Sequence, residues 1–251
     1  MFKRLLAAAL AASLAAGCAG VSDEPPLSAQ AVAAAPSLSI PAGRWRAVLV
    51  AGDNSSPAFD NGIDTLRERF AALGVRNITL LAASQARGAR LASARAIDGS
   101  LRAAGGEACF VYMTSHGDES GFFLRAERRT LSPGALDQAL SAGCGERPTV
   151  LVVSACHSGT FINAETRRPN RIIVAAAATD RTSFGCGADD DYTYYDQCFQ
   201  QSLDGAATWR ELAQATRACV ATLERRLGVR RESRPQVFVG PAVANLRLPG
   251  R

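Results

Sequence analysis

Residues 149–160 read T-V-L-V-V-S-A-C-H-S-G-T, and this stretch decides the fold. Thr149 to Ser154 is a short, continuous apolar run rich in β-branched side chains, the pattern of a strand buried on both faces. It breaks at once into Ala155-Cys156-His157-Ser158-Gly159, small and reactive residues that do not extend it. Cys109 to Thr114 (C-F-V-Y-M-T) repeats the pattern and breaks into Ser115-His116-Gly117. Trp45 to Gly52 (W-R-A-V-L-V-A-G) repeats it again and ends in Asp53-Asn54. In open α/β sheets, sites form beyond the carboxyl ends of the strands. If the three strands are neighbours, His116 and Cys156 lie on one rim.

The intervening segments carry helical spacing. Ile63, Leu66, Phe70 and Leu73 predict a helix capped by Asp60 or Asn61 and ended by Gly74. Ser84 caps a predicted Ala/Arg-rich helix to about residue 104, and Ser132 opens another to about residue 142. A long helix is predicted from Gln200 to Leu227. Asn77 to Ala82, Arg171 to Ala178 and Gln236 to Gly240 bring the strands to six. Strands alternating with helices predict an α/β domain, a mainly parallel six-stranded sheet covered on both faces.

The chain has 251 residues, 47% hydrophobic and 20% charged, the range of a folded domain with a sizeable core. Lys3 is its only lysine, so Schiff-base, P-loop and general-base lysines are excluded beyond the first segment. The net charge of +5 comes with no basic stripe interleaved with aromatics, so nucleic acid is not an expected partner. Lys3-Arg4 precede an apolar run, Leu5 to Ala16, too short to span a bilayer and suited to a signal peptide over 1–17. Leu14-Ala15-Ala16-Gly17-Cys18 is similar to a bacterial lipobox, with Ala15 where a larger apolar residue is usual. Cys18 is then the lipidation site. Residues 18–43, rich in Ala, Ser and Pro, read as a tether to a domain over 44–251. The expected location is the bacterial cell envelope, lipid-anchored to the outer membrane and facing the periplasm.

Seven cysteines suit an oxidising compartment. Cys109 and Cys144 stand just before predicted neighbouring strands and form one candidate bridge; Cys186 and Cys198 form another. Cys156 is the candidate nucleophile, since a nearby imidazole shifts a thiol toward thiolate. Gly117 and Gly159 allow close backbone approach and expose N–H groups, and Asn54 is placed to orient the imidazole. A zinc site of His116, Cys156 and His157 lacks a fourth ligand at metal-binding spacing, so no metal is expected. A serine hydrolase using Ser158 lacks the glycine-flanked nucleophile elbow.

The runs V-Y-M-T-S-H-G (Val111 to Gly117) and V-L-V-V-S-A-C-H-S-G-T (Val150 to Thr160) resemble the histidine and cysteine motifs of the caspase–hemoglobinase cysteine peptidases. V-L-V-A-G-D-N (Val48 to Asn54) is similar to the first-strand motif of the legumain-like members, and Ala176 to Cys186 is similar to their fifth-strand region. The resemblance spans roughly residues 45 to 240. It implies a caspase-like three-layer α/β/α sandwich and a cysteine endopeptidase acting on proteins or peptides without a cofactor. Cys156 is then the nucleophile, His116 the general acid/base and Asn54 its orienting group. Gly117 and Cys156 supply the oxyanion-hole N–H pair. Asp60, Ser154 and Ser183 become the substrate-binding candidates. Legumains carry an acid at the Ser154 position and an arginine near Asp60, so strict asparaginyl specificity is not expected. The cysteine motif is also close to that of the Arg- or Lys-directed metacaspases. Transpeptidation on the same fold and a non-catalytic envelope lipoprotein are the other readings of the sequence.

Overall fold

The computed structural model describes residues 37–251 apart from 86, 87 and 104. In chain order the elements are β1 (Trp45–Ala51), α1 (Pro57–Ala72), β2 (Asn77–Ala82), β3 (Arg90–Leu91), α2 (Ala94–Arg102), β4 (Ala108–Thr114), β5 (Gly117–Asp118), β6 (Gly121–Leu124), β7 (Arg129–Leu131), α3 (Pro133–Gly143), β8 (Thr149–Ser154), β9 (Arg171–Ala175), α4 (Tyr194–Ser202), α5 (Trp209–Arg226) and β10 (Gln236–Val239). The main sheet has the order β10-β9-β8-β4-β1-β2-β3, parallel except for β10 against β9. Every residue of β1, β4 and β8 is buried, as their unbroken apolar runs require. Alternation splits the side chains between two cores. Trp45, Leu49, Phe110 and Tyr112 pack with α1, α4 and α5 on one face. Val48, Val50, Val111, Met113 and Leu151 pack with α2 and α3 on the other. This is a caspase-like three-layer sandwich.

All six predicted strands are present, and the sheet gains a seventh. It is the two-residue edge strand β3, paired to β2 through Leu81↔Arg90 and Ala82↔Leu91. That edge occupies part of the segment predicted as helix from Ser84, so α2 starts only at Ala94, where the Ser93 hydroxyl accepts from the Ala96 N–H at 3.1 Å. α1 starts earlier than predicted. Ser56, not Asp60 or Asn61, is its N-cap, with Pro57 in the first turn, where a missing N–H costs nothing. The folded unit also begins before residue 44. Leu38 pairs with the chain near Leu246, and the Trp45 indole donates to the Ile40 carbonyl at 3.2 Å. The proposed signal peptide and Cys18 lie outside the described residues.

The predicted helix 200–227 is two helices. Thr208 and Glu211 form a reciprocal capping box that starts α5 afresh. The break folds α4 and α5 against each other and joins Cys198 to Cys219. Cys198 is therefore not bonded to Cys186, which is a free thiol. The other predicted bridge, Cys109–Cys144, is present and ties the start of β4 to the end of α3. Cys198–Cys219 closes a loop over a sequence separation of 21, worth about 3 kcal/mol by chain entropy. Cys219→Ser should lower the urea unfolding midpoint correspondingly under non-reducing conditions, and the difference from wild type should vanish in dithiothreitol.

Candidate active site

Three strand ends are level. Ala51 stands beside Thr114, and Thr114 beside Ser154, in the registers of β1–β4 and β4–β8. The chain leaves β1 toward β2 and β3 and returns to β4 on the other side of β1, so the site forms where the strand order reverses. Residues 52–56, 115–117 and 155–159 therefore leave the sheet together.

The small antiparallel sheet β5-β6-β7 packs over this exit. Its hydrogen bonds are specific. The Ser115 hydroxyl donates to the Phe123 carbonyl at 2.9 Å, the Phe123 N–H to the His116 carbonyl at 3.0 Å, and the Arg125 N–H to the Gly52 carbonyl at 2.9 Å. The Arg125 guanidinium reaches the Asp53 carboxylate at 2.9 Å, and Asp53 accepts the Ser55 N–H at 2.6 Å. Asp53 is buried, which by itself raises its pKa. The Ser55 hydrogen bonds and Arg125 outweigh that and hold the carboxyl below the ordinary range.

This scaffold presents Ser55 to the imidazole. Ser55 Oγ lies 3.1 Å from His116 Nε2, and the Phe59 ring meets the imidazole edge-on with centroids 5.2 Å apart. The sequence pointed to Asn54 as the orienting residue. Asn54 is exposed, and no hydrogen bond joins it to His116 among the described residues. The correction is one position along the chain. Asp53 holds the Ser55 amide, and the hydroxyl of that same residue meets the ring.

Cys156 faces the same cavity as His116. Its sulfur accepts the Ser183 N–H at 3.3 Å and contacts the Ser183 carbonyl at 3.6 Å. His157 is turned elsewhere. Its backbone is left-handed (φ 56°), its Nδ1–H donates to the Thr179 carbonyl at 2.8 Å, and its amide donates to the Arg181 carbonyl at 2.8 Å. Ser158 is buried with its hydroxyl accepting the Ala177 N–H at 3.1 Å, a structural use that leaves little of it for chemistry.

Two N–H groups face no described acceptor. Gly117 stands opposite Phe122 while Phe123 donates to His116, so Gly117 is at a position of the β5–β6 ladder that exchanges no hydrogen bonds and its own N–H is left out of it. The Cys156 amide has no acceptor among the described residues. The approach at Gly117 is close. A Cβ there would stand 2.7 Å from the Cys156 carbonyl oxygen and 3.0 Å from the Ala155 Cβ. Gly117→Ala should push the two chain segments apart, cost about 1–3 kcal/mol of stability and lower kcat more than ten-fold, read together by denaturant titration and steady-state kinetics.

The cavity is also lined by Ser154, Ser183, Cys186 and Thr193 and by the Phe59 and Phe184 rings. Ser154 and Thr193 hydroxyls meet at 3.3 Å. Beneath them Asp196 is fully buried, accepting from Tyr112 at 2.5 Å and Thr114 at 2.7 Å. Burial pushes its carboxyl up, and the hydroxyls around it offset only part of that. Ser154 and Ser183, substrate-binding candidates from the sequence, line the cavity. Asp60 does not; it sits in the first turn of α1, where a carboxylate faces the positive end of the helix. Elsewhere, Asp180 is 3.2 Å from Arg231 and Asp190 accepts the Gly187 N–H at 2.8 Å. Ser55, Phe59, Thr193 and Asp196 were not read from the sequence. Ser55 had a signal, since it directly follows the strand-end Gly52-Asp53-Asn54. Phe59 is brought to the cavity by α1, and Thr193 to it and Asp196 beneath it by α4.

The model of the peptidase C13 family matches residues 94–225, just over half the chain. The crystal structure of caspase-1 from Spodoptera frugiperda aligns with a TM-score of 0.59 and 12% sequence identity, over 78% of this chain and 86% of that one. At that identity the likeness is one of fold. No curated protein sequence matches the chain.

Proposed function

The chain belongs to the peptidase C13 family, the legumain family of cysteine endopeptidases, and on that premise we propose that it cuts peptide bonds through a Cys156–His116 dyad and a thioester intermediate. The observation that carries this reading is the meeting of Cys156 and His116 in one cavity, beside two N–H groups with no described acceptor.

Ser55 occupies the Nε2 side of the imidazole. Nε2–H donates to Ser55 Oγ, which leaves Nδ1 as the base for the Cys156 thiol. The thiolate attacks the scissile carbonyl carbon, and the Gly117 and Cys156 N–H groups hold the oxyanion, a type of contact worth roughly 10²–10³ in rate per donor. His116 then protonates the leaving amine. A water that gives its proton to His116 attacks the thioester, and the acyl group leaves as a carboxylic acid with the thiol restored. Ser55 acts through His116 as a positioning residue, itself held by Asp53 and Arg125. The test is a peptide-library cleavage profile of wild type against Cys156→Ala; absence of any cleavage by reduced wild-type protein would refute the reading.

The same reading extends to specificity and location. The described lining of the cavity offers the Ser154, Ser183 and Thr193 hydroxyls as acceptors and holds no arginine or lysine, which supports a preference broader than asparagine and shifted toward arginine. A guanidinium needs an anion or several acceptors, whereas a carboxamide pairs with groups of either kind. Matched peptides differing only in Asn, Asp or Arg before the scissile bond decide it. Measurable turnover of the Arg peptide is expected, and clean selection of Asn would return the site to ordinary asparaginyl specificity. Anchoring through lipid on Cys18 is the proposed means of membrane contact in the bacterial envelope; mass spectrometry of the membrane fraction should find the acylated amino-terminal peptide.

A further inference from the structure

The cavity that holds Cys156 contains a second thiol for which the mechanism has no use. Four of the described cysteines are paired, Cys109 with Cys144 and Cys198 with Cys219, and Cys156 and Cys186 are free. Both line the same small cavity with His116. Ser183, whose N–H rests on the Cys156 sulfur, lies only three residues before Cys186 on one irregular segment, 182–187. Cys186 has Gly185 (φ 82°) and Gly187 on either side. A disulfide needs Cα atoms about 4.4–6.8 Å apart, and flanking glycines give the backbone freedom to reach that spacing. A protein that already carries two disulfides is also made where thiols meet oxidants.

We propose that Cys186 is the redox partner of Cys156, so that oxidation joins the two sulfurs in a reversible disulfide that masks the nucleophile and closes the cavity. The oxidant is a small-molecule disulfide, RSSR. The Cys156 thiolate attacks one sulfur of RSSR, its S–S bond breaks, and RS⁻ leaves. The Cys186 thiolate then attacks the Cys156 sulfur of the mixed disulfide and expels the second RS⁻. Two protein thiols and RSSR become one protein disulfide and two RSH, with two electrons passing from the protein to RSSR. A dithiol reverses both steps.

The electrostatics support this order. Burial, then the neighbouring Cys156 and Asp190, push the Cys186 thiol up, so in the reduced protein Cys186 is the poorer attacking group. Once Cys156 is in the mixed disulfide it carries no charge, and its part of that opposition disappears. Cys186 is thereby held back until Cys156 has reacted. The disulfide chemistry needs only the two thiols; its consequence for turnover rests on the peptidase reading above.

The test equilibrates the full chain with oxidised glutathione, alkylates the remaining thiols, digests without reduction and reads sulfur connectivity by mass spectrometry. Wild type should yield a Cys156–Cys186 peptide pair and no retained glutathione. It should lose at least ten-fold in turnover and regain it in dithiothreitol. Cys186→Ser and Cys186→Ala should instead keep glutathione on Cys156. A stable glutathione adduct on wild-type Cys156 with Cys186 alkylated, or Cys156 joined to any other cysteine, would overturn the proposal. The two readings fail separately. A peptide pair in a chain that cuts no peptide removes the peptidase reading alone, and full turnover with no peptide pair removes the disulfide alone.

Discussion

Cys156→Ala should abolish peptide cleavage and covalent capture by a thiol-directed peptide warhead, a fall of roughly 10⁴ or more in kcat/KM, while the chain stays folded. The two halves of this expectation have separate grounds. Of the two free thiols in the cavity, Cys156 is the one that directly follows β8 beside the two N–H groups with no described acceptor, while burial pushes the Cys186 thiol up; the hydroxyls are engaged, Ser158 with the Ala177 amide and Ser154 with Thr193. The fold does not depend on it. Cys156 is half-buried in a turn after β8 and belongs to neither hydrophobic core. Its loss leaves the Ser183 N–H without its sulfur acceptor at a partly exposed position, where water can replace it at a cost of about 1 kcal/mol or less. Cys109→Ala and Cys144→Ala should show the opposite pattern, losing the bridge between β4 and α3 and with it stability, while activity per folded molecule persists. Retained turnover in folded Cys156→Ala, followed by circular dichroism and a fluorogenic peptide together, would remove the mechanism.

The parts of this molecule legible in the sequence are those governed by short-range pattern. β8 has its predicted bounds because its apolar run is continuous and its ends abrupt, and β2 keeps its bounds although Asn77 and Thr79 interrupt its apolar pattern. The rim was legible for the same reason, as reactive residues directly follow buried runs. Elements decided by partners were not. β3 is a strand only because β2 lies beside it; its two exposed residues carry no periodicity of their own. The helix break before Thr208 was marked by Gly205 and the Thr208/Glu211 box, yet helical residues on both sides concealed it. Missing that break also misassigned the second disulfide, because Cys198 meets Cys219 only once α4 and α5 fold back on each other. The Asn54 reading failed differently. Its strand end was right, but which of two adjacent polar residues reaches the imidazole depends on Asp53 fixing the Ser55 amide. Asp53 is in turn held by Arg125, some 70 residues away in a hairpin with no strong sequence signal.

That network makes the contrast between the two histidines the second large effect. His116→Ala should lower kcat by roughly 10²–10⁴, the usual worth of a general acid–base group, and His157→Ala by far less. Position in sequence already favours His116, since a side chain adjoining the nucleophile usually projects away from it whereas one ending the neighbouring strand can face it. The difference lies in what each ring already does. His157 donates its Nδ1–H to the Thr179 carbonyl and sits half-buried on a left-handed turn, so its role is to secure that turn. His116 has Nε2 on a hydroxyl, its ring in T-shaped contact with Phe59, and its other nitrogen free of any described partner in the cavity shared with Cys156. Ser55→Ala should fall between the two, reducing kcat with little change in KM, because the imidazole loses its orienting contact while the substrate cavity is untouched. Ser55→Thr keeps the hydroxyl and should recover most of the loss, which a purely structural role for Ser55 would not require. If His157→Ala were instead the inactive variant, with His116→Ala near wild type, the acid–base assignment would pass to His157 and the relay from Arg125 to Ser55 would have no catalytic purpose.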